Sequence, residues 1–199
     1  MTGADDVVAV TQLILRERQA RDRGRWDRLR ACYAPDATVR LSWFRGSGEE
    51  FAARSREMAG RGDVARHRLA PPVVDLDGTR AVVEVPAAIE VRTALDGIDV
   101  DLTSYARLLY RAELRARRWQ IRSLDPVYER DVIVPVLPGA TLAIHPNVLI
   151  GFRSSYQFLA YVLQGRGYPV ANDLYGDDCP GKAAELYESL YAWLTRKGS

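Results

Sequence analysis

Between Arg80 and Tyr128 three runs of alternating apolar and polar residues follow one another with little but turns between them. Each is longer than the strand of about six residues that is usual in globular proteins. In Arg80 to Thr93 the side chains of Ala81, Val83, Val85, Ala87, Ile89 and Val91 point one way, and Glu84, Glu90 and Arg92 the other. Val100 to Ala112 and Arg118 to Tyr128 repeat the pattern, and His67 to Leu76 precedes them as a further strand. Asp77-Gly78 and Asp96-Gly97 are tight-hairpin signals, because both residues tolerate positive φ. Four long antiparallel strands in sequence must twist, and their single apolar face must be covered by something.

The segments before the sheet supply that cover. Residues 6–22 have helical spacing through Val7, Val10, Ile14 and Ala20 or Arg21, and Arg23-Gly24 breaks the helix. A short helix with Trp26, Leu29, Cys32 and Tyr33 follows, then a turn at Ala34–Ala37 into a strand over Thr38–Trp43. Ser47 and Glu50 form a capping box for a helix whose apolar face carries Phe51, Ala52, Ser55 and Met58 and which ends at Gly60–Asp63. The expected fold class is α+β, a cone-shaped curved antiparallel sheet wrapped around helices, over residues 1–135. Residues 136–199 form a C-terminal helical extension, with helices at Phe152–Leu163 and Ala183–Arg196. Some sixty residues are too few for a comfortable core of their own, so the extension is expected to pack on the same domain.

At 199 residues and a formal net charge of +2, with arginines scattered among acids, charge balance does not suggest nucleic acid. No apolar run reaches the roughly 20 residues of a membrane span, and the first 20 residues lack a basic start and apolar block, so a cytoplasmic protein is expected. Cys32 and Cys179 are read as reduced thiols, and with two His and two Cys out of ligand spacing no metal is expected. No cofactor-binding fingerprint is present.

Two stretches, Ala20-Arg21-Asp22-Arg23-Gly24-Arg25-Trp26-Asp27-Arg28-Leu29 and Cys32-Tyr33-Ala34-Pro35-Asp36-Ala37, together with the closing strand Arg118-Trp119-Gln120-Ile121, resemble the SnoaL-like proteins of the nuclear-transport-factor-two-like superfamily. The resemblance covers roughly residues 6–135. Its nearest functional likeness is to scytalone dehydratase and to polyketide cyclases. It implies an Asp just before the Trp helix and a His at the start of the strand after the third helix, here Asp22 and His67. The Tyr that accompanies that Asp in the dehydratase is Arg21 in this chain, and its two water-holding tyrosines are not clearly reproduced.

Strand alternation places His67 with Leu69, Pro71 and Val73, facing the apolar interior. Imidazole can accept and donate a proton at neutral pH, and a carboxylate on its other nitrogen would fix the tautomer; Asp22 is the candidate. Asp125 shares a predicted inward face with Trp119, Ile121 and Ser123 and is a second candidate acid or base. Tyr33, Ser42, Trp43, Phe44, Ser104 and Ser123 are candidate substrate-binding residues. The expected activity is a cofactor-independent dehydration, double-bond isomerisation or cyclisation of a small apolar, polyketide- or terpenoid-like molecule. An epoxide hydrolase ranks lower, because Arg92 and Arg107 fall on the outer face and no inward arginine is evident. A non-catalytic module that binds a small ligand or dimerises is the remaining alternative, and a homodimer is among the expected partners.

Overall fold

The computed structural model describes residues 3–196. Two helices, α1 (Gly3–Asp22) and α2 (Trp26–Arg30), are followed by strands β1 (Tyr33–Arg40) and β2 (Arg45–Ser47) and a third helix, α3 (Gly48–Gly60). Strands β3 (Arg66–Leu69), β4 (Val73–Asp77), β5 (Arg80–Leu95), β6 (Ile98–Arg115) and β7 (Arg118–Pro135) follow. A 3-10 turn (Pro146–Leu149), α4 (Gln157–Gly165), β8 (Tyr175–Gly176) and α5 (Pro180–Leu194) complete the chain. The sheet runs β2-β1-β7-β6-β5-β3, with β4 also on β5 and β8 also on β7. Neighbours are antiparallel except β1 and β8, which both run parallel to β7. This is the expected α+β class: a large curved, unclosed sheet with helices in its concave face.

The hairpins form at the expected turns. Asp96 and Gly97 both have positive φ, 50° and 79°, and Gly78 has 58°. The capping box is also present: Ser47 Oγ accepts from the Glu50 amide at 3.2 Å, and the Ser47 amide donates to Glu50 Oε2 at 2.8 Å.

Irregularities in the pairing change which residues face inward, and two of them bear on the expected site. Pro71 and Pro72 lack the N–H that a continuous strand would need, so the expected strand over His67–Leu76 divides into β3 and β4. The pairing with β5 slips by one residue between them, from His67 opposite Ile89 to Val73 opposite Glu84. His67 and Leu69 therefore share the inner face with Val74 and Leu76, while Val73 is exposed. In β7, Arg122 is an unpaired bulge residue between Ile121 opposite Ala112 and Ser123 opposite Arg111. Beyond it the alternation is reversed: Leu124 joins the inner core, and Ser123 and Asp125 turn to the outer face.

The core has three parts. Val10, Ile14, Phe51, Tyr110 and Ile121 pack α1 and α3 into the concave face. Leu159, Ala160 and Leu163 of α4 extend that packing onto Leu102 and Tyr128 of the sheet. On the outer face Leu186, Leu190 and Leu194 of α5 cover Val82, Leu109 and Val127. Each such buried leucine stabilises the fold by roughly 1.5–3 kcal/mol, so both helices after Pro135 are held to the sheet by burial. Tyr156 is also buried, whereas Phe152 and Trp193 are half-buried and Val7 of α1 is partly exposed. Among the described residues no helix is long and apolar enough to cross a membrane.

Candidate active site

The last two turns of α1 carry the site's charge. Glu17 and Arg21 occupy the helix phase of Val10 and Ile14, so the apolar stripe that enters the concave face ends in charged residues. Glu17 is completely buried and is satisfied from three sides. Arg18 pairs with it through two guanidinium nitrogens, Tyr33 donates to Oε1 at 2.8 Å, and Tyr110 donates to Oε2 at 3.2 Å. Burial disfavours the charge on Arg18, but Glu17 outweighs this and holds its pKa well above the ordinary value. Burial and the Glu17 charge keep both phenols protonated.

Asp22 ends α1 beside the first residues of β3. Its Oδ2 accepts the His67 backbone N–H at 2.7 Å, and its Oδ1 lies 2.6 Å from His67 Nδ1. The His67 side chain is only 5% exposed. Burial pushes its pKa down to about 4, with Arg18 and Arg21 adding to the effect against the pull of Asp22. Burial works against the Asp22 carboxylate too, yet the hydrogen bonds from His67 outweigh it and hold the carboxyl below its usual range. The pair is therefore a neutral imidazole beside an ionised carboxylate. A carboxylate only accepts, so Nδ1 carries the proton and Nε2 the lone pair. Arg18 Nη1 stands 3.4 Å from Nε2, a long contact.

His67 lines a largely apolar cavity with Leu41, Trp43, Met58, Leu102 and Leu108, and α4 closes it through Leu159 and Val162. The space open to the centres of water molecules is about 60 Å³. Its polar groups are Arg18, Arg21, Ser42, His67 and Tyr128, with Asp63, Arg166 and Tyr168 at the rim. There Arg166 pairs with Asp63 and with the Thr93 hydroxyl, and Tyr168 donates to Asp63 Oδ2 at 2.6 Å.

The sequence candidates divide accordingly. His67, Ser42 and Trp43 line the cavity, with Asp22 directly behind His67. Tyr33 sits one step back, on Glu17. Phe44 packs against Trp43 and Phe51 outside the lining. Ser104 is fully buried on the inner face, opposite Asp131, but does not line the cavity. Ser123 and Asp125 are corrections: the Arg122 bulge turns both to the far side of the sheet, where Asp125 is near Arg111 and burial raises its pKa. The expectation of no inward arginine is corrected as well, since Arg18 and Arg21 enter the cavity from α1 rather than from a strand. Glu17, Arg18, Tyr110 and Tyr128 were missed by sequence reasoning. For Glu17 the available signal was a charged residue in the phase of Val10 and Ile14.

Residues 3–125 match the SnoaL-like domain model. The chain belongs to the SnoaL-like family. Pea pathogenicity protein 2 of Fusarium vanettenii is 29% identical over 203 aligned positions, which cover 96% of this SnoaL-like chain and 87% of that protein. Among solved structures, hexachlorocyclohexane dehydrochlorinase LinA-type3 from Novosphingobium barchaimii shares the fold with a TM-score of 0.56 at 14% identity, over 71% of this chain and 97% of that one. A Novosphingobium aromaticivorans protein provisionally assigned as a scytalone dehydratase does so at 0.54 and 16%, over 71% and 94%.

Proposed function

We propose that this SnoaL-like chain is a cofactor-independent enzyme that removes a proton from carbon in a small, mostly apolar substrate, leading to elimination or double-bond isomerisation. The observation that carries this reading is a buried His67 whose Nδ1 lies 2.6 Å from Asp22 Oδ1 while the ring lines an apolar cavity. In the elimination, Nε2 takes the proton from a carbon next to a carbonyl, and the C–H electrons move onto the carbonyl oxygen. Arg18, beside Nε2, is placed to donate to that oxygen as it gains charge. Asp22 stabilises the imidazolium. The enolate then expels the β-hydroxyl, which takes the proton back from Nε2 and leaves as water, so His67 ends neutral. The names of the dehydratase and dehydrochlorinase neighbours denote eliminations, of water and of hydrogen chloride respectively. A polyketide- or terpenoid-like metabolite suits the apolar walls. Epoxide hydrolysis through Asp125 is not supported, because Asp125 faces the other side of the sheet.

Proton removal can be tested without the natural substrate. Exchange of the α-hydrogens of small enolisable ketones in D₂O, followed by NMR, should be accelerated by the wild type. It should fall by about 10²–10⁴ in His67→Gln, the usual share of acid–base catalysis. Acceleration that persists in a folded His67→Gln would exclude His67 as the base.

A further inference from the structure

Arg21 is the one cavity-lining arginine of α1 that makes no carboxylate ion pair within 4 Å among the described residues, Glu17 and Asp22 acting on it only at longer range. It is 7% exposed, and its hydrogen bond is to Met58 Sδ at 3.4 Å, a weak acceptor. Trp43 lies under it, with the guanidinium carbon 5.8 Å from the ring centre. The acids of the site are engaged elsewhere. Both oxygens of Glu17 are taken by Arg18, Tyr33 and Tyr110. Both oxygens of Asp22 are taken by His67. Asp63 is held by Arg166 and Tyr168. Burying a charge without a partner is costly, and a cation kept in that state is poised for an anion brought from outside.

We propose that Arg21 is the residue that recognises substrate, and that the substrate is a small, mostly apolar molecule bearing one carboxylate. The planar guanidinium offers the paired N–H donors that a carboxylate accepts in bidentate fashion, which a point charge such as lysine does not. The apolar walls at Leu41, Trp43, Met58 and Leu102 suit the rest of such a molecule. Burial, and after it the neighbouring Arg18, pushes the Arg21 pKa down to about 10, so an anion in the fork would relieve a charge the fold disfavours. Arg21 and His67 line the same cavity, so a carboxylate on Arg21 would share that space with the proposed base. The inference rests on the cavity being the ligand site of the proposed function, but not on its chemistry.

The test compares benzoate with benzamide, its neutral isostere, by calorimetric titration of the full chain at constant ionic strength. Wild type should bind benzoate at least about tenfold more tightly, the share of a charge-assisted hydrogen bond. Arg21→Gln should abolish that preference, Arg21→Lys should keep part of it, and Arg68→Gln, which removes an exposed cation outside the cavity, should leave it intact. Because the cation is buried unpaired, Arg21→Gln should also melt no lower than wild type, whereas a structural arginine would lower the melting temperature. His67→Gln should lose the exchange activity and keep the benzoate preference, so failure of the acid–base reading and failure of this one give different results. The proposal is overturned if benzamide binds as well as benzoate, if neither binds, if the preference survives Arg21→Gln, or if Arg21→Gln does not fold.

Discussion

Asp22 holds His67 twice, by the ring Nδ1 at 2.6 Å and by the backbone N–H at 2.7 Å. One carboxylate thus fixes both the tautomer of the imidazole and the point at which β3 begins beside α1. Asp22→Asn keeps an acceptor for the backbone but cannot stabilise an imidazolium, so activity should fall by about 10²–10⁴ while the fold survives. The double variant Asp22→Asn/His67→Gln should be little worse than His67→Gln alone, because the two act as a unit. Rates of α-hydrogen exchange for the four proteins measure this, and simply multiplicative losses would show that the residues work separately.

Acid should weaken the fold through His67. Its folded pKa, about 4, lies below the ordinary 6.5, so between those values the unfolded chain takes up a proton that the folded chain refuses. Stability from this source is complete above pH 6.5 and is lost as pH falls towards 4. Asp131 acts in the opposite sense: burial raises its pKa to about 6, which costs stability as pH rises from about 4 to 6. Comparison with His67→Gln cancels the Asp131 contribution. Urea denaturation at pH 7 and 4.5 should show wild type losing on the order of 2 kcal/mol more than His67→Gln on acidification. Equal losses would mean that His67 is not held neutral.

The contact between Arg166 and Asp63, both of which line the cavity, ties the end of α4 to the segment after α3. Arg166 also pairs with Thr93, and Tyr168 with Asp63, so Arg166→Gln removes one latch and leaves another. Both ionised side chains are partly exposed, so global stability should change by no more than about 1 kcal/mol. Amide exchange over residues 163–170 should nevertheless become faster, and unchanged exchange there would show that burial of Leu159 and Leu163 alone holds α4 down.

Ala116 and Arg117 make the β6–β7 turn with φ of 46° and 63°, left-handed values taken here without a glycine. Such a conformation costs an ordinary residue roughly 1–2 kcal/mol, and two-residue hairpin turns favour Asn-Gly in its place. Arg117→Gly is expected to stabilise by about 0.5–1 kcal/mol, offset in part by the entropy of the unfolded glycine, and thermal melting would show it. A lower melting temperature would mean that the exposed Arg117 side chain contributes more than its backbone costs.

The long alternating runs from Arg80 onward, the Asp96-Gly97 turn and the Ser47–Glu50 cap were legible in the sequence because each is set by residues close together in the chain. The Asp22–His67 juxtaposition was reached through the resemblance, since 45 positions separate the two. The errors come from the sheet's irregularities. An unpaired residue is defined by its neighbouring strand, so alternation counted along β7 could not show that Arg122 drops out and turns Asp125 away. The slip at Pro71-Pro72 displaced Val73 for the same reason. The buried charges of α1 were hidden differently: the helical stripe ran through Val10 and Ile14 to Ala20 or Arg21, but the partners that let Glu17 be buried, Tyr33 and Tyr110, come from distant strands of the sheet.

The proposed chemistry requires His67 to be a neutral base with its proton on Nδ1 and its lone pair on Nε2. Long-range ¹H–¹⁵N NMR of ¹⁵N-labelled protein reads this directly, and the spectrum contains just two histidines, so His145→Gln assigns them. The expected result is an Nδ1–H tautomer for His67 that persists through neutral pH and titrates only near pH 4, and in Asp22→Asn the tautomer should no longer be fixed. A His67 ring protonated on Nε2, or one titrating at or above pH 6.5, would contradict that chemistry.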